Sequence, residues 1–582
     1  MADLLTFLVE QQVIEAHQGK KYQVASDEPL YYRLLRDFPD KEHGIWQSLA
    51  EYLQVKLVDP HKVKPTNQLV RIVPARLAHE YSIVPLSLDD NNLEIAVADP
   101  QQFEKCQELS LLLSQQRYVR ENIKNGLIIR ARLALPGDIA LMIKRLYGLG
   151  AETVEDMLDG SNASGLDVNL VGREILENDA VESHDDEAAI IKFVNQLLIE
   201  AVKAGASDIH LEPFENKLRV RYRIDGMLQN EPVPENIKHL EAAIISRIKI
   251  MANLDIAEKR LPQDGQIRIE IANRPIDIRV SILPTMFGQG LALRLLDRQL
   301  AFLNLNRVGM PDDYLELYRR VLGISHGVVL VTGPTGSGKT TTLYGSLQEI
   351  NRSDRKILTV EDPIEYQLEG VCQIQVKPSI DLTFANVLRS ILRHDPDIIM
   401  VGEIRDRDTA QIAVSAAMTG HLVFSTLHTN DATSAPARLM EMGVEPYLIS
   451  SALEAVVAQR LVRELCSHCK KKVAMTDSSL GQDIAELNGI NDLYESKGCG
   501  RCRHSGFIGR TAIFEMFTID NNIRQMILNR DNAVTVKDYA IGQGMRTLHK
   551  SGLELVKNGR TSLAEIYRVA REERIEMKKF LD

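Results

Sequence analysis

The sequence predicts a multidomain protein of the α/β class, and three observations carry that expectation. The chain has 582 residues, too many for a single core and enough for three or four domains. From about Met310 onward, short apolar runs alternate with helical segments, the pattern of a parallel sheet crossed by helices. Within that stretch, Gly333-Pro334-Thr335-Gly336-Ser337-Gly338-Lys339-Thr340 satisfies every fixed position of G-x-x-x-x-G-K-[ST].

In chain order, residues 1–148 mix helical patterns with short strands such as residues 93–98. Residues 187–204 carry Ile190, Ile191, Val194, Leu197, Leu198 and Val202 at helical spacing. Strands are expected at residues 218–224, 267–271 and 276–282, with a helix at 240–252, which describes a small α+β domain. The cuts fall at residues 1–148, a linker at 149–187, a middle domain at 188–298, a short linker at 299–310 and the α/β domain at 311–582. No internal repeat is evident.

Composition narrows the class. At 44% hydrophobic and 26% charged the chain reads as soluble and globular. No run approaches the roughly 20 apolar residues of a membrane helix, and the start (Met1-Ala2-Asp3-Leu4) has no basic n-region, so a secretory signal is not expected. Six cysteines in so long a chain make no disulfide framework. The net charge of -11 argues against holding nucleic acid through an overall basic field. Residues 151–187 hold twelve acids and one base, so they account for that whole charge and leave 68 of each sign elsewhere. Such a segment reads as a solvated, self-repelling tether, with an acidic arm for a basic partner as the alternative.

The glycine-rich octapeptide lies between an apolar strand at 328–331 and a helix running from Thr341 to 350. Backbone N–H groups there converge on phosphate oxygens at a helix N-terminus. Lys339 is expected on the β- and γ-phosphates and the Thr340 hydroxyl on Mg²⁺. A buried strand at 398–401 ends in Gly402-Glu403, a variant of the usual magnesium-binding strand end. Another, at 356–360, ends in Glu361-Asp362-Pro363-Ile364-Glu365. Carboxylates at such ends face the ligand crevice, where one can orient and deprotonate water; Asp-Pro is equally a common turn pair. Glu361 or Asp362 is expected to be structural and Glu365 chemical. His421 and His428 bracket a strand at 422–427, as γ-phosphate reporters or as ordinary hydrogen bonders. Arg389 and Arg393 share one helix face over 384–394, which neutralises phosphate charge if it faces the site and is a solvated face otherwise.

Cys466-Ser467-His468-Cys469 and Cys499-Gly500-Arg501-Cys502 pair into a tetrahedral four-cysteine zinc site, favoured over a redox C-x-x-C, within a subdomain at about 463–505. Cys106 and Cys372 are expected to be ordinary buried thiols.

Several strings together resemble the secretion ATPases, the motors of type II secretion and type IV pilus assembly. They are Thr359-Val360-Glu361-Asp362-Pro363-Ile364-Glu365, the run from Leu388 to Asp397, Gly402-Glu403-Ile404-Arg405-Asp406 and Thr419-Gly420-His421 through Asn430. Upstream stand Ala206-Ser207-Asp208-Ile209-His210-Leu211-Glu212-Pro213 and Pro262-Gln263-Asp264-Gly265, and downstream Gln459-Arg460-Leu461-Val462-Arg463. The likeness is strong over residues 187–575 and weak over 1–148.

The resemblance implies a cytoplasmic homohexameric ATPase with a RecA-like P-loop domain, a PAS-like middle domain and an N-terminal docking domain. It implies Glu365 as general base, Glu403 as the magnesium-side glutamate, and Arg279 and Arg294 closing over the nucleotide with Arg389 and Arg393. His421 and His428 would couple nucleotide state to subunit contacts. Gln266 and Gln289 depart from the family pattern without removing a catalytic group. The four cysteines resemble the assembly and secretion motors rather than the retraction type. Partners implied are an inner-membrane platform protein and a recruiting protein, with peripheral membrane association through them. Some relatives bind cyclic-di-GMP through motifs opening Arg-Leu-Gly; Met1-Ala2-Asp3-Leu4 lacks that arginine and glycine, so sensing is not expected. A non-cycling scaffold subunit and a RecA-like DNA translocase are the competing readings, the latter disfavoured because no basic, aromatic-interleaved strip occurs.

Overall fold

The structure, a computed structural model, describes residues 2–11, 13–14, 22, 29–38, 41–60, 66–123, 126–151, 169–170, 185–271, 273–297, 304–474 and 492–570. It forms two compact units that divide between Leu296 and Asp297.

The first unit opens with helices Ala2–Glu10, Leu30–Asp37 and Glu42–Tyr52, which bury Leu8, Leu34 and Trp46 in a small core. The Trp46 indole donates to the Ala134 carbonyl at 2.9 Å, as a buried indole N–H requires a partner. A three-stranded sheet follows, with β1 (Ile83–Asp89) antiparallel to β2 (Asn92–Val97) and β3 (Ile128–Leu133) parallel to it. The strand expected at 93–98 is β2, one residue earlier.

The second sheet runs β4-β8-β9-β10-β5-β6-β7. Its strands are β4 (Asn169–Leu170), β5 (Ala206–Pro213), β6 (Leu218–Ile224), β7 (Met227–Glu231), β8 (Gln263–Ile271), β9 (Arg274–Thr285) and β10 (Gly288–Asp297). Helices Asp185–Lys203 and Glu241–Met251 share its core, with Phe193, Leu197, Ile244 and Ile248 packed among Ile209, Tyr222, Ile267 and Ile278. β8 and β9 outrun their expected spans because they pair continuously from Gln263↔Ile282 to Ile271↔Arg274.

Most of the acidic segment lies outside the described residues, but both its ends are folded. Leu149 is buried in the same core as Phe193, its N–H donates to the Pro232 carbonyl at 2.7 Å, and the following helix already starts at Asp185. Lys144 pairs with Glu231 at 2.6 Å and Glu200 at 3.2 Å. The linker expected from 149 to 187 is therefore shorter at each end. The second expected linker shrinks likewise: residues 299–303 lie outside the described residues, while Leu305, Val308 and Met310 belong to a core.

The second unit carries a sheet ordered β13-β12-β14-β15-β11-β16-β19. Here β11 is Gly327–Thr332, β12 Ile357–Glu361, β13 Cys372–Gln375, β14 Ile398–Val401, β15 Leu422–Leu427, β16 Leu453–Leu465 and β19 Phe507–Thr518. Pairing is parallel from β13 to β16, and β19 closes the sheet antiparallel. Alternate residues of β11 enter opposite cores, Val328 and Leu330 on one face, Val329 and Val331 on the other, as a strand period of two dictates when both faces are covered. The registers Thr332↔Leu427, Val401↔Ser425 and Val360↔Val401 bring the C-terminal ends of β11, β12, β14 and β15 to one edge. Two short strands, β17 (Lys471–Ala474) and β18 (Asp492–Glu495), pair antiparallel. Among the described residues no helix is long and apolar enough to cross a membrane.

Candidate nucleotide-binding site

The phosphate loop leaves β11 at Gly333 and enters helix Lys339–Ile350. Gly338, at φ +88°, caps that helix, and a Cβ there would lie 2.7 Å from Gln459 Nε2. A Cβ on Gly333 would lie 2.6 Å from both the Gln459 carbonyl oxygen and Ser337 Oγ. Both positions therefore need glycine for space as well as for conformation. Gln459 comes from β16, and its Oε1 accepts from Thr342 Oγ1 at 2.7 Å.

Lys339 Nζ donates to the Gly333 and Pro334 carbonyls at 2.7 and 3.1 Å. Burial brings its ammonium down to about 8, with the pull of Glu403 and the repulsion of Arg460 opposing each other. Among the described residues the Arg460 guanidinium binds carbonyls, those of Asn430 at 2.6 Å and Gln459 at 3.1 Å. Ser337 Oγ is buried with no hydrogen-bond partner. An orphaned hydroxyl beside two cations held by neutral oxygens fits a polyanion. Pro334, Thr335, Gly336 and Thr340 are exposed on the loop, and Thr341 is half-buried.

The neighbouring strand ends supply carboxylates. Glu403 follows β14; its Oε1 meets Arg405 Nη2 at 2.5 Å and its Oε2 meets His428 Nε2 at 3.6 Å. Glu361, at the end of β12, is 4% exposed and satisfied inside the fold. It accepts from Thr359 Oγ1 at 2.5 Å, from Gln373 Nε2 at 3.1 Å and from the Tyr344 hydroxyl. Asp362 is exposed, 3.8 Å from Arg405, and Glu365 is half-buried three residues on. Thr340 and Glu403 are the hard oxygen donors that magnesium takes.

The two histidines part company. His428 lies at the loop edge of the sheet, whereas His421 precedes β15 at the far edge, about 20 Å away along a six-residue strand. There its Nδ1 lies 2.9 Å from the Ala416 carbonyl and 3.2 Å from Thr419 Oγ1, at the end of helix Arg407–Met418. Arg389 lies on helix Phe384–Ile391, bound to Asn386 at 3.0 Å and paired with Asp408 at 3.5 Å. Arg393 falls past that helix and binds the Arg389 carbonyl and Ser390 Oγ, each at 3.2 Å; both guanidinia are exposed. In the first unit, Arg294 on β10 is held by Asp208 at 3.1 Å, and Arg279 lies on β9. Sequence reasoning gave no role to Tyr344, Gln373 or Arg405, and quoted Gln459 and Arg460 only as part of a motif string. Gln459 was findable, as the polar residue that ends the apolar run from Ala455 to Ala458.

The four cysteine sulfurs of Cys466, Cys469, Cys499 and Cys502 lie within 4.8 Å of one another. Three of their separations are 3.9, 3.7 and 3.7 Å, against about 3.8 Å for a tetrahedron with metal–sulfur bonds of about 2.3 Å. Burial alone would raise the Cys502 thiol, but N–H donors from Cys499 at 3.1 Å and Gly506 at 3.2 Å outweigh it and hold the thiol below its ordinary value. The other two thiols correct the expectation of burial: Cys106 is half-buried and Cys372 exposed. Cys372 lies on β13, an edge strand whose four residues are all exposed or half-buried.

A phosphate loop between parallel strand and helix, with carboxylates from adjacent strand ends at the same sheet edge, defines the P-loop NTPase class. The chain belongs, within that class, to the type II/IV secretion system protein family, whose profile matches residues 183–568; residues 53–153 match the MshEN domain. Type II secretion system protein E of Xanthomonas campestris is 40% identical over 544 residues, covering 92% of this chain and 91% of that protein. The type IV pilus assembly ATPase PilB of Myxococcus xanthus is 39% identical, covering 91% and 90%. Type II secretion system protein HxcR of Pseudomonas aeruginosa is 49% identical, covering 71% and 84%.

Proposed function

We propose that this chain is an ATP-hydrolysing motor that works as a homohexamer beneath an inner membrane and drives assembly of a type IV pilus or type II secretion pseudopilus. The observation that carries the reading is the convergence of Lys339, Ser337, Glu403 and His428 at one sheet edge with the Glu361–Glu365 turn beside them. Binding rests on the loop amides, Ser337 and Lys339. Thr340 and Glu403 would hold Mg²⁺, which supplies charge neutralisation on the phosphates when bound. Glu365 is the group that orients and deprotonates water, with Glu361 kept buried as its anchor. Arg294 and Arg389 are held by Asp208 and Asp408 in half-exposed ion pairs that a phosphate can replace, and with Arg279 and Arg393 they would complete the site over bound nucleotide. His421, at the far edge of β15, acts on subunit contacts rather than on phosphate.

The α/β domain is read as RecA-like because one strand, β15, separates the loop strand β11 from the carboxylate strand β14. The middle domain is read as PAS-like and the N-terminal region as a docking domain for the platform and recruiting proteins. The tetracysteine cluster is read as a structural zinc site. Lys339→Ala and Glu365→Gln should each abolish turnover by the purified chain while leaving its circular dichroism and melting temperature unchanged. ATP hydrolysis at the wild-type rate by either variant overturns the assignment. A deletion strain scored for both surface pili and exoprotein release separates the two kinds of filament.

A further inference from the structure

We infer that the Tyr344 hydroxyl and the Gln373 amide are the positioning pair that sets the place of Glu365, and so couple the phosphate-loop helix to the hydrolytic turn. The inference rests on the reading of Glu365 as the residue that activates water. Tyr344 lies on helix Lys339–Ile350, five residues past Lys339, and is 1% exposed. Its hydroxyl donates to Glu361 Oε2 and accepts the backbone N–H of Glu365 at 3.4 Å. Its ring packs edge-on to Tyr366, with centroids 4.7 Å apart. From the other side, Gln373 on β13 uses its whole amide. Its Nε2 donates to Glu361 Oε1 at 3.1 Å and to the Tyr366 carbonyl at 3.2 Å, and its Oε1 accepts the Leu368 N–H at 2.7 Å.

The turn carrying Glu365 is thus gripped at residues 361, 365, 366 and 368 by two side chains from different elements. The hydroxyl that donates to the buried carboxylate and accepts a backbone amide also lies 3.5 Å from Gln373 Nε2, so the two side chains meet each other as well as the turn. A shift of the phosphate-loop helix would move Tyr344, and through its hydroxyl would pull on Glu361 and on the backbone of Glu365. Neither side chain is placed on the nucleotide, so both act through Glu365.

The test compares the full-length wild type with Tyr344→Phe, which keeps the ring and its stacking, Gln373→Met, which keeps length, and Glu365→Gln. ATP turnover is measured across substrate concentration, with nucleotide affinity followed by a fluorescent ATP analogue and the fold by melting temperature. Misplacing a reacting group by a fraction of an ångström costs about tenfold or more in rate, so Tyr344→Phe and Gln373→Met are expected to lose about tenfold in kcat with KM and affinity within twofold. Wild-type kcat in Tyr344→Phe, while Glu365→Gln is inactive, overturns the positioning role alone. A parallel loss of affinity and melting temperature with kcat overturns it too, as the mark of a merely structural side chain. If Tyr344→Phe does not fold, Gln373→Met decides by the same criteria. Wild-type turnover in Glu365→Gln instead removes the reading on which the inference stands.

Discussion

Lys339 is held by two carbonyls and half-buried, and desolvation brings its ammonium down to about 8. A bound triphosphate adds negative charge beside it and favours the protonated form. The sign follows: a group with a lowered pKa in the free protein and a higher one in the complex takes up a proton on binding. Nucleotide affinity should therefore fall as pH rises through about 8, and calorimetry at pH 8.5 in two buffers of different ionisation enthalpy should find uptake of a substantial fraction of a proton. Affinity that stays flat from pH 7 to 9, with no uptake, would contradict this. At this scale the sequence was legible wherever the chemistry is contiguous. Residues 333 to 340 are neighbours along the chain, so their spacing alone discloses the loop. Gln459 and Arg460 reach the same loop from more than a hundred residues away, because β16 pairs with β11 in the register Thr332↔Ala458. Only that register reveals them. Cys372 failed for a related reason: β13 sits at the sheet edge with all four of its residues exposed or half-buried, and nothing in the local sequence tells which strand takes that place.

At the scale of elements, the four-cysteine cluster joins two distant turns. Cys466 and Cys469 follow the end of β16, and Cys499 and Cys502 precede β19, while β16 and β19 are themselves paired from Ala455↔Thr518 to Leu465↔Phe507. A metal at the cluster therefore ties together the two ends of the long connection between β16 and β19. Removing it should cost locally rather than globally, since the sheet pairing remains. One zinc per chain is expected by elemental mass spectrometry, falling to less than about a tenth in Cys469→Ser, because a closed structural site tolerates no missing thiolate. Hydrogen exchange should then accelerate in residues 466–474 and 492–506 and stay unchanged in β11 and β15. A full zinc equivalent in the variant argues for another ligand set. The strand and helix spans at this scale followed from period alone, and their ends did not. β8, β9 and the helix from Lys339 extend past their apolar pattern because backbone pairing and the loop geometry, not hydrophobicity, terminate them.

Across the whole chain, the charge excess concentrated in residues 151–187 suggested a tether whose length sets the reach of the N-terminal region. The first unit changes that reading. Leu149 at the entry of the acidic segment and Phe193 just past its exit belong to one core, so both flanks of the segment are anchored in the same body. What then holds the N-terminal region to the middle sheet is a clasp at residues 144–150. Gly148, at φ +88°, lies so near the Val233 carbonyl carbon that a Cβ would come within 2.6 Å of it. Lys144 meets Glu231, whose side chain is 1% exposed. Removing one partner of an ion pair with so buried a carboxylate is destabilising, by up to about 3–5 kcal/mol. Lys144→Ala is therefore expected to release the clasp. Exchange should rise in residues 136–151 and 227–240, while nucleotide affinity stays unchanged. Lys144→Arg should restore most of the protection, because the charge survives although the geometry does not fit as well. Equal protection in Lys144→Ala and wild type would return the role of holding the domains together to the acidic segment itself.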